Sequence, residues 1–328
     1  MRHPWAALAL ALMSACGGGL TVAGTVVRPA AIPVRAFPRI LVVAGNGDES
    51  AVVARRLAAH LDGSTSEVRT PTPDELAALR ARGALRPGTV VVSVDAALVQ
   101  DERATWGRRD TLDCGPGGCI ESQRPAIQAT PVVIGRVRIT VTDGPSGRSL
   151  QREDLREEEV GPDVLGARLR VIERLGERTT ALVDQRAEPV VVELLTVDVP
   201  EVRTALTLIE GGDWAHGAAA LQAFVDSPAM DTLPPQTRAR VLYDLGQARR
   251  FDGSLPPDER FARAAEAMRA AIRTIPDRRY AAGIAEIQAD QRSRALLLAQ
   301  EEARDHNFRL ASDGGAVPEP PTSYRAGP

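Results

Sequence analysis

Apolar positions recur with two different periods along this chain, and the change of period divides it. Up to about residue 199 the pattern is short apolar runs bounded by Gly, Pro or charge. "RILVVAG" (Arg39 to Gly45) and "GTVVVSVDAALV" (Gly88 to Val99) read as buried strands. Between them Val53, Leu57 and Leu61 fall at helical spacing with Arg55 and Arg56 outward, and Glu67 to Arg69 suits a short strand. Thr72-Pro73-Asp74-Glu75 is a capping-box pattern that opens a helix running to about Arg82, stopped by Gly83. Alternation with period two returns within Ile127 to Thr142, turns at "DGPSGR" and comes back along "SLQREDLREEEV". The residues between Val99 and Ile127 read as a long insertion. Asp163 to Ala187 is helical, and Pro189 to Asp198 is a last strand. From Pro200 the period becomes helical throughout, with a final helix over about Arg278 to Arg304.

These elements predict an α+β protein. An α/β, sandwich-like domain with a long β-hairpin occupies 39–199 and an all-helical domain occupies 200–310. A Pro/Gly-rich tail, 311–328, is too polar to pack.

The amino terminus changes the picture of where the protein works. Arg2 precedes an apolar run from Trp5 to Met13, too short for a permanent membrane span but laid out as a secretory signal. Leu12-Met13-Ser14-Ala15-Cys16 resembles a bacterial lipobox, with Met13 where Leu is usual. That resemblance implies a lipoprotein signal peptide over 1–15 and acylation of Cys16, palmitate included. Gly17-Gly18-Gly19 suits a flexible tether, and the stretch with Pro29, Pro33 and Pro38 reads as an extended linker, so a flexible tether is expected over 16–38. By the sorting rule of the best-known cases, Gly17 implies the outer membrane, facing the periplasm. An unlipidated secretory signal is the competing reading.

Of the three cysteines, the other two are Cys114 and Cys119, flanking Gly-Pro-Gly-Gly. In an oxidising compartment they form an even pair, and a local disulfide across a tight turn is the leading reading. A metal site is the alternative. It needs further ligands, and His3, His60, His216 and His306 are all far away in sequence.

Composition excludes several chemistries. Forty basic residues balance 43 acidic ones, which argues against a nucleic-acid surface. Every one of the 40 is Arg; without Lys there is no P-loop lysine, Schiff base or Ser–Lys pair. "GNGDES" (Gly45 to Ser50) follows a strand and opens a helix, but it lacks the dinucleotide spacing, and Asp48 and Glu49 repel phosphate. It reads as a turn with acid at a helix N-terminus. No Ser/His/Asp or Cys/His grouping can be assembled, so no catalytic residue, metal or cofactor is expected.

Two resemblances come with named residues. The helical part resembles tetratricopeptide repeats. One pair matches through Trp214, Gly217 and Leu221 in "EGGDWAHGAAAL". A second matches through Leu245-Gly246, then Ala264, Met268, Ala271 and Pro276. Small residues there let helices approach closely, so these positions, with Tyr243, are expected to pack rather than react. Departures are the insertion in "RFDGSLPPDER", Phe224 at a usually small position, and only two visible pairs. The first part, through "RILVVAGNGDES", the "GRVRITVTDGPSGRSL" hairpin and the helix before "VVVELL", resembles a domain of bacterial envelope lipoproteins. Among these are the curli-secretion channel protein and the penicillin-binding-protein activators; the channel's membrane-inserting segments are not evident here. Together these imply a non-catalytic, lipid-anchored envelope adaptor that binds a protein partner through its helical repeats. The alternative is a ligand-binding or enzyme-accessory lipoprotein acting through the α/β domain.

Overall fold

The structure is a computed structural model that describes residues 19–115 and 118–313. The signal segment 1–15, the expected lipid attachment at Cys16 and the tail beyond 313 lie outside the described residues. The class is mixed α+β, with a sheet region followed by a helical C-terminal part.

The chain forms two compact units, one from Met1–Pro29 with Gln185–Leu298, the other from Ala30–Asp184 with Ala299–Pro328. This division differs from the expected 39–199 and 200–310 because residues 19–38 are not the expected tether. Val22 and Val26 alternate with exposed neighbours and form strand β1 (Gly19–Arg28). β1 pairs antiparallel with β7 (Arg186–Leu195), from Gly19↔Leu195 to Arg28↔Arg186, as a separate two-stranded sheet. The expected last strand of the α/β domain therefore belongs with the helices. Past Pro29, Ile32, Val34 and Ala36 are buried in or beside the larger sheet's core, so this stretch is no linker either.

In the sheet unit the strand order is β3-β2-β4-β5-β6. β2 (Arg39–Ala44) runs parallel to β3 (Glu67–Arg69) and β4 (Thr89–Gly115), while β4, β5 (Gly118–Asp143) and β6 (Ser149–Val160) are antiparallel. Helices α1 (Asp48–Asp62) and α3 (Val164–Val183) cover one face. Ile40, Leu57, Leu61, Val94, Ile139 and Leu175 are buried there. Gly135 lets α3 sit close, since a Cβ at that position would lie 2.3 Å from Val171 Cγ1 and 2.6 Å from Leu175 Cδ1. On the other face α2 (Pro73–Ala81) packs Leu76 over Leu41, Val43 and Val91. Its capping box is as expected: Thr72 Oγ1 accepts from Glu75 N–H and Glu75 Oε2 accepts from Thr72 N–H.

The helical unit holds α4 (Pro200–Glu210), α5 (Trp214–Val225), the short α6 (Pro228–Asp231), α7 (Pro235–Phe251) and α8 (Pro257–Thr274). α9 (Arg278–Asp313) follows, longer at its C-terminal end than expected and taking in 311–313. Gly217 sits where a Cβ would lie 2.3 Å from Ile209 Cγ1, and Gly246 where one would meet Met268 at 2.9 Å. Leu221 and Leu245 are buried in one cluster; Ala264, Met268 and Ala271 are buried in the next. Trp214 packs on Phe251 with ring centroids 4.8 Å apart, and Pro276 lies between α8 and α9.

Candidate functional site

The β4–β5 pair does not stop where the sheet does. β4 loses its neighbour β2 after Ala44↔Val94, and β5 loses β6 after Val132↔Val160. The two strands remain paired with each other from there to Gly115↔Gly118. The segment expected to be a long insertion is thus a two-stranded ribbon, roughly 45 Å long past the sheet at ~3.4 Å per residue. β4 holds no proline, so its backbone can stay paired throughout. Cys114 and Cys119 are direct partners in the register at the far end, and Cys119 is disulfide-bonded. The side chain of Cys114 lies outside the described residues.

Strand alternation fixes which side of the ribbon is apolar. Val92, Val94, Ala96 and Leu98 face α1 and α3, and the same parity continues through Gln100 and Glu102 to Ala104 and Trp106. Across the ladder it continues to Pro131, Ala129 and Ile127. Trp106 is 77% exposed and Ile127 64% exposed, directly opposite each other. The other side carries Asp101, Arg103, Thr105, Gln128 and Thr130. An apolar pair of this size standing in water at the centre of a ribbon is a candidate interaction surface.

The two edges of the ribbon differ. Val94 O accepts from Gly45 N–H at 2.8 Å, and Ala96 N–H donates to Ser50 Oγ at 2.8 Å, so even-numbered residues of β4 turn their backbone groups outward. Beyond Ala96 no strand of the described residues lies along this edge. On β5 the outward residues are the odd-numbered ones, as Pro131 O shows by accepting from Gly161 N–H at 3.0 Å. Pro131 and Pro125 both fall on that edge and remove a donor each, a device that blunts strand addition. The β4 edge has no such block.

Other candidates are already used. Ser50 Oγ donates to Asn46 O at 2.8 Å while accepting from Ala96 N–H, so this buried hydroxyl ties α1 to β4. The N-terminal acid is there as read: Glu49 pairs with Arg168 at 3.0 Å. His60 Nε2 contacts Asp184 Oδ2, whose other oxygen accepts from Arg35 Nε at 2.7 Å. His216 sits on the N-cap Asp213, which accepts from His216 N–H; that contact holds the Asp213 carboxyl below the usual range. No group of three or more metal-ligating side chains occurs among the described residues. On the open face of the sheet Arg138 Nε donates to Asp154 Oδ1 at 2.8 Å, which lowers the Asp154 pKa.

In the helical unit α7 is buried almost all round, from Val241 to Arg250, against its neighbours and β7. Asp244 Oδ1 accepts from Leu195 N–H of β7 at 2.7 Å. Arg250 Nε donates to Asp290 Oδ2 of α9 at 2.6 Å, and Arg28 Nη1 of β1 donates to Asp290 Oδ1 at 3.1 Å. Trp214, Gly217, Leu221, Leu245, Gly246, Ala264, Met268 and Ala271 therefore all serve contacts within the unit. Sequence reasoning missed the ribbon with Trp106 and Ile127. The available signal was that Trp106 and Ile127 are isolated large apolar residues among polar ones on both sides of the cysteine turn.

No protein-family model matches the chain, and no curated protein does. Among solved structures, the PelC dodecamer from Paraburkholderia phytofirmans shares 15% identity over 51% of this chain and 100% of that one, with a TM-score of 0.26. A PDZ domain protein from Parabacteroides distasonis shares 13% identity over 57% of this chain and 41% of that one, at 0.24. No helix of the described residues is long and apolar enough to cross a membrane.

Proposed function

We propose that this chain is a lipid-anchored, non-catalytic adaptor of the bacterial cell envelope, held through Cys16 at the outer membrane and facing the periplasm. Its contact element on this reading is the β4–β5 ribbon, and the tetratricopeptide-like pairs α4–α5 and α7–α8 form scaffold rather than a binding groove. One observation carries the reading: Trp106 and Ile127 face each other, exposed, on a ribbon that leaves its own sheet. The helical repeats are the less favoured surface because β7 and α9 occupy α7. A photo-reactive residue in place of Trp106, in the native host, tests this against one in place of Arg269 on α8. Discrete covalent protein adducts from position 106 alone support it. Adducts from position 269 alone, or from neither, refute it. Mass spectrometry of the same preparation checks the anchor, with acyl mass on Cys16 as the expected result.

A further inference from the structure

The partner of the ribbon can be read from the β4 edge. Residues 98 to 112 read LVQDERATWGRRDTL. About Thr105 four charges of this stretch mirror one another with opposite sign, Asp101 with Arg109 and Glu102 with Arg108; Leu98 mirrors Leu112 and Ala104 mirrors Trp106, while Arg103 falls on Gly107 and Asp110 on Gln100. An antiparallel strand pair brings just such mirrored positions together when a strand meets its own copy across a two-fold axis.

The backbone admits this register, and the charges choose it among those the backbone admits. Outward-facing groups on β4 belong to even-numbered residues, so a copy can pair only where even meets even. With the axis at Thr105, Glu102 meets Arg108 of the copy and Ala104 meets Trp106, both even to even. Moving the axis one residue to Trp106 sets Glu102 against Asp110 and Arg103 against Arg109, like against like. Moving it to Ala104 pairs none of these charges. The ladder also has a natural limit: Leu98 is the last free outward residue, because Ser50 already holds Ala96.

The edge is in need of such a partner. Among the described residues, neither Glu102 nor Arg108 has an ion-pair partner within the chain. Two of the outward backbone groups are covered only by local side chains, Glu102 N–H by Asp101 Oδ1 at 2.8 Å and Arg108 O by Gln128 Nε2 at 3.0 Å. The prolines at 125 and 131 keep the opposite edge from competing, which favours a closed pair over an open chain of copies. A lone two-stranded ribbon is marginal in water, and pairing with a copy makes it four-stranded. In the pair, Trp106 of each copy comes beside Ala104 of the other.

We propose that the chain forms a two-fold dimer in which β4 pairs with β4 of a second copy, Thr105 on the axis. This rests on the ribbon being the contact element and names its occupant. The test is sedimentation velocity of the purified full chain in neutral detergent, over a concentration series, with the variants E102R, R108E and the double swap. Wild type is expected to dimerise. Each single variant sets two like-charge contacts on the ladder, one on each side of the axis, and is expected to weaken the dimer about tenfold. The double swap restores opposite charge in reversed order and is expected to return to within about threefold of wild type. These exposed positions carry no core packing, so circular dichroism should be unchanged. A monomeric wild type, unaffected single variants, or a double swap no better than its parents each overturn the proposal. A monomer that still gives adducts with a different protein from position 106 overturns the dimer and leaves the adaptor reading standing.

Discussion

Asp244 allows the packing of the helical unit to be tested by a change of pH. The residue is fully buried on α7. One oxygen accepts from Leu195 N–H at 2.7 Å, and the other, Oδ2, has no partner among the described residues. Burial pushes its carboxyl well above the usual range, against a smaller opposing pull from the Leu195 hydrogen bond and from Arg240. The sign follows from linkage. A carboxyl whose folded pKa is raised gives its full contribution below the unfolded pKa, near 3.9, and loses it as pH rises towards the folded value. Within that window the unit weakens by up to ~1.4 kcal/mol per pH unit. Asp244→Asn keeps an oxygen for Leu195 N–H and cannot ionise. Denaturant unfolding at a series of pH values, followed by fluorescence of Trp214 on Phe251, should find the variant close to wild type near pH 4. It should be increasingly the more stable protein above that. Asp244→Ala, which leaves Leu195 N–H without its acceptor, should lie about 1–3 kcal/mol below Asp244→Asn at every pH, since neither variant titrates there. A stability difference between the Asp244→Asn variant and wild type that does not change with pH would falsify the burial argument.

Two further perturbations test the packing of each unit. Gly135→Ala places a methyl 2.3 Å from Val171 Cγ1 and should lift α3 off the sheet at a cost of about 1–3 kcal/mol, read as a lower midpoint in denaturant. Arg250→Ala leaves Asp290, itself buried, with Arg28 as its one salt bridge among the described residues; a loss of about 3 kcal/mol in the helical unit is expected from thermal unfolding, and Arg250→Lys should not recover it.

Elements whose cause is local were legible in the sequence. The capping box at Thr72 and the helix begun by Asp48 and Glu49 follow from side chains within four residues of the backbone groups they serve. The apolar periods of α1, α4 and α8 are equally local. Small residues at Gly217 and Gly246 marked close helix contacts because a Cβ has nowhere to go. What was not legible depends on partners far away in the chain. "TVAGTVVR" becomes a strand because β7, more than 150 residues later, supplies its hydrogen bonds and α4, α5 and α7 cover its inner side. Pro29, Pro33 and Pro38 suggested a linker, but Ile32 and Val34 among them are buried by contacts that no nearby sequence announces.

The ribbon is the sharper case. Residues 100 to 131 have the composition of a loop, rich in charge, Gly and Pro, and neither strand alternates hydrophobicity strongly enough to stand out. Each is extended because the other lies beside it, and the register between them is fixed from both ends. At one end the core sets it, through Val94 opposite Ile139; at the other Cys114 lies opposite Cys119. Only with that register in hand do Trp106 and Ile127 become a pair. The edge then has a direction, and the mirrored charges of "DERATWGRR" acquire meaning. The same charges scattered in a flexible loop would select no partner, since freely moving side chains in water gain little from any one arrangement. Held at fixed spacing on a straight edge, they discriminate between registers, favouring the one about Thr105 and penalising its neighbour. The specificity of the β4 edge therefore lies in the backbone as much as in the arginines and acids themselves, which is why reversing two charges together is expected to preserve what reversing either one removes.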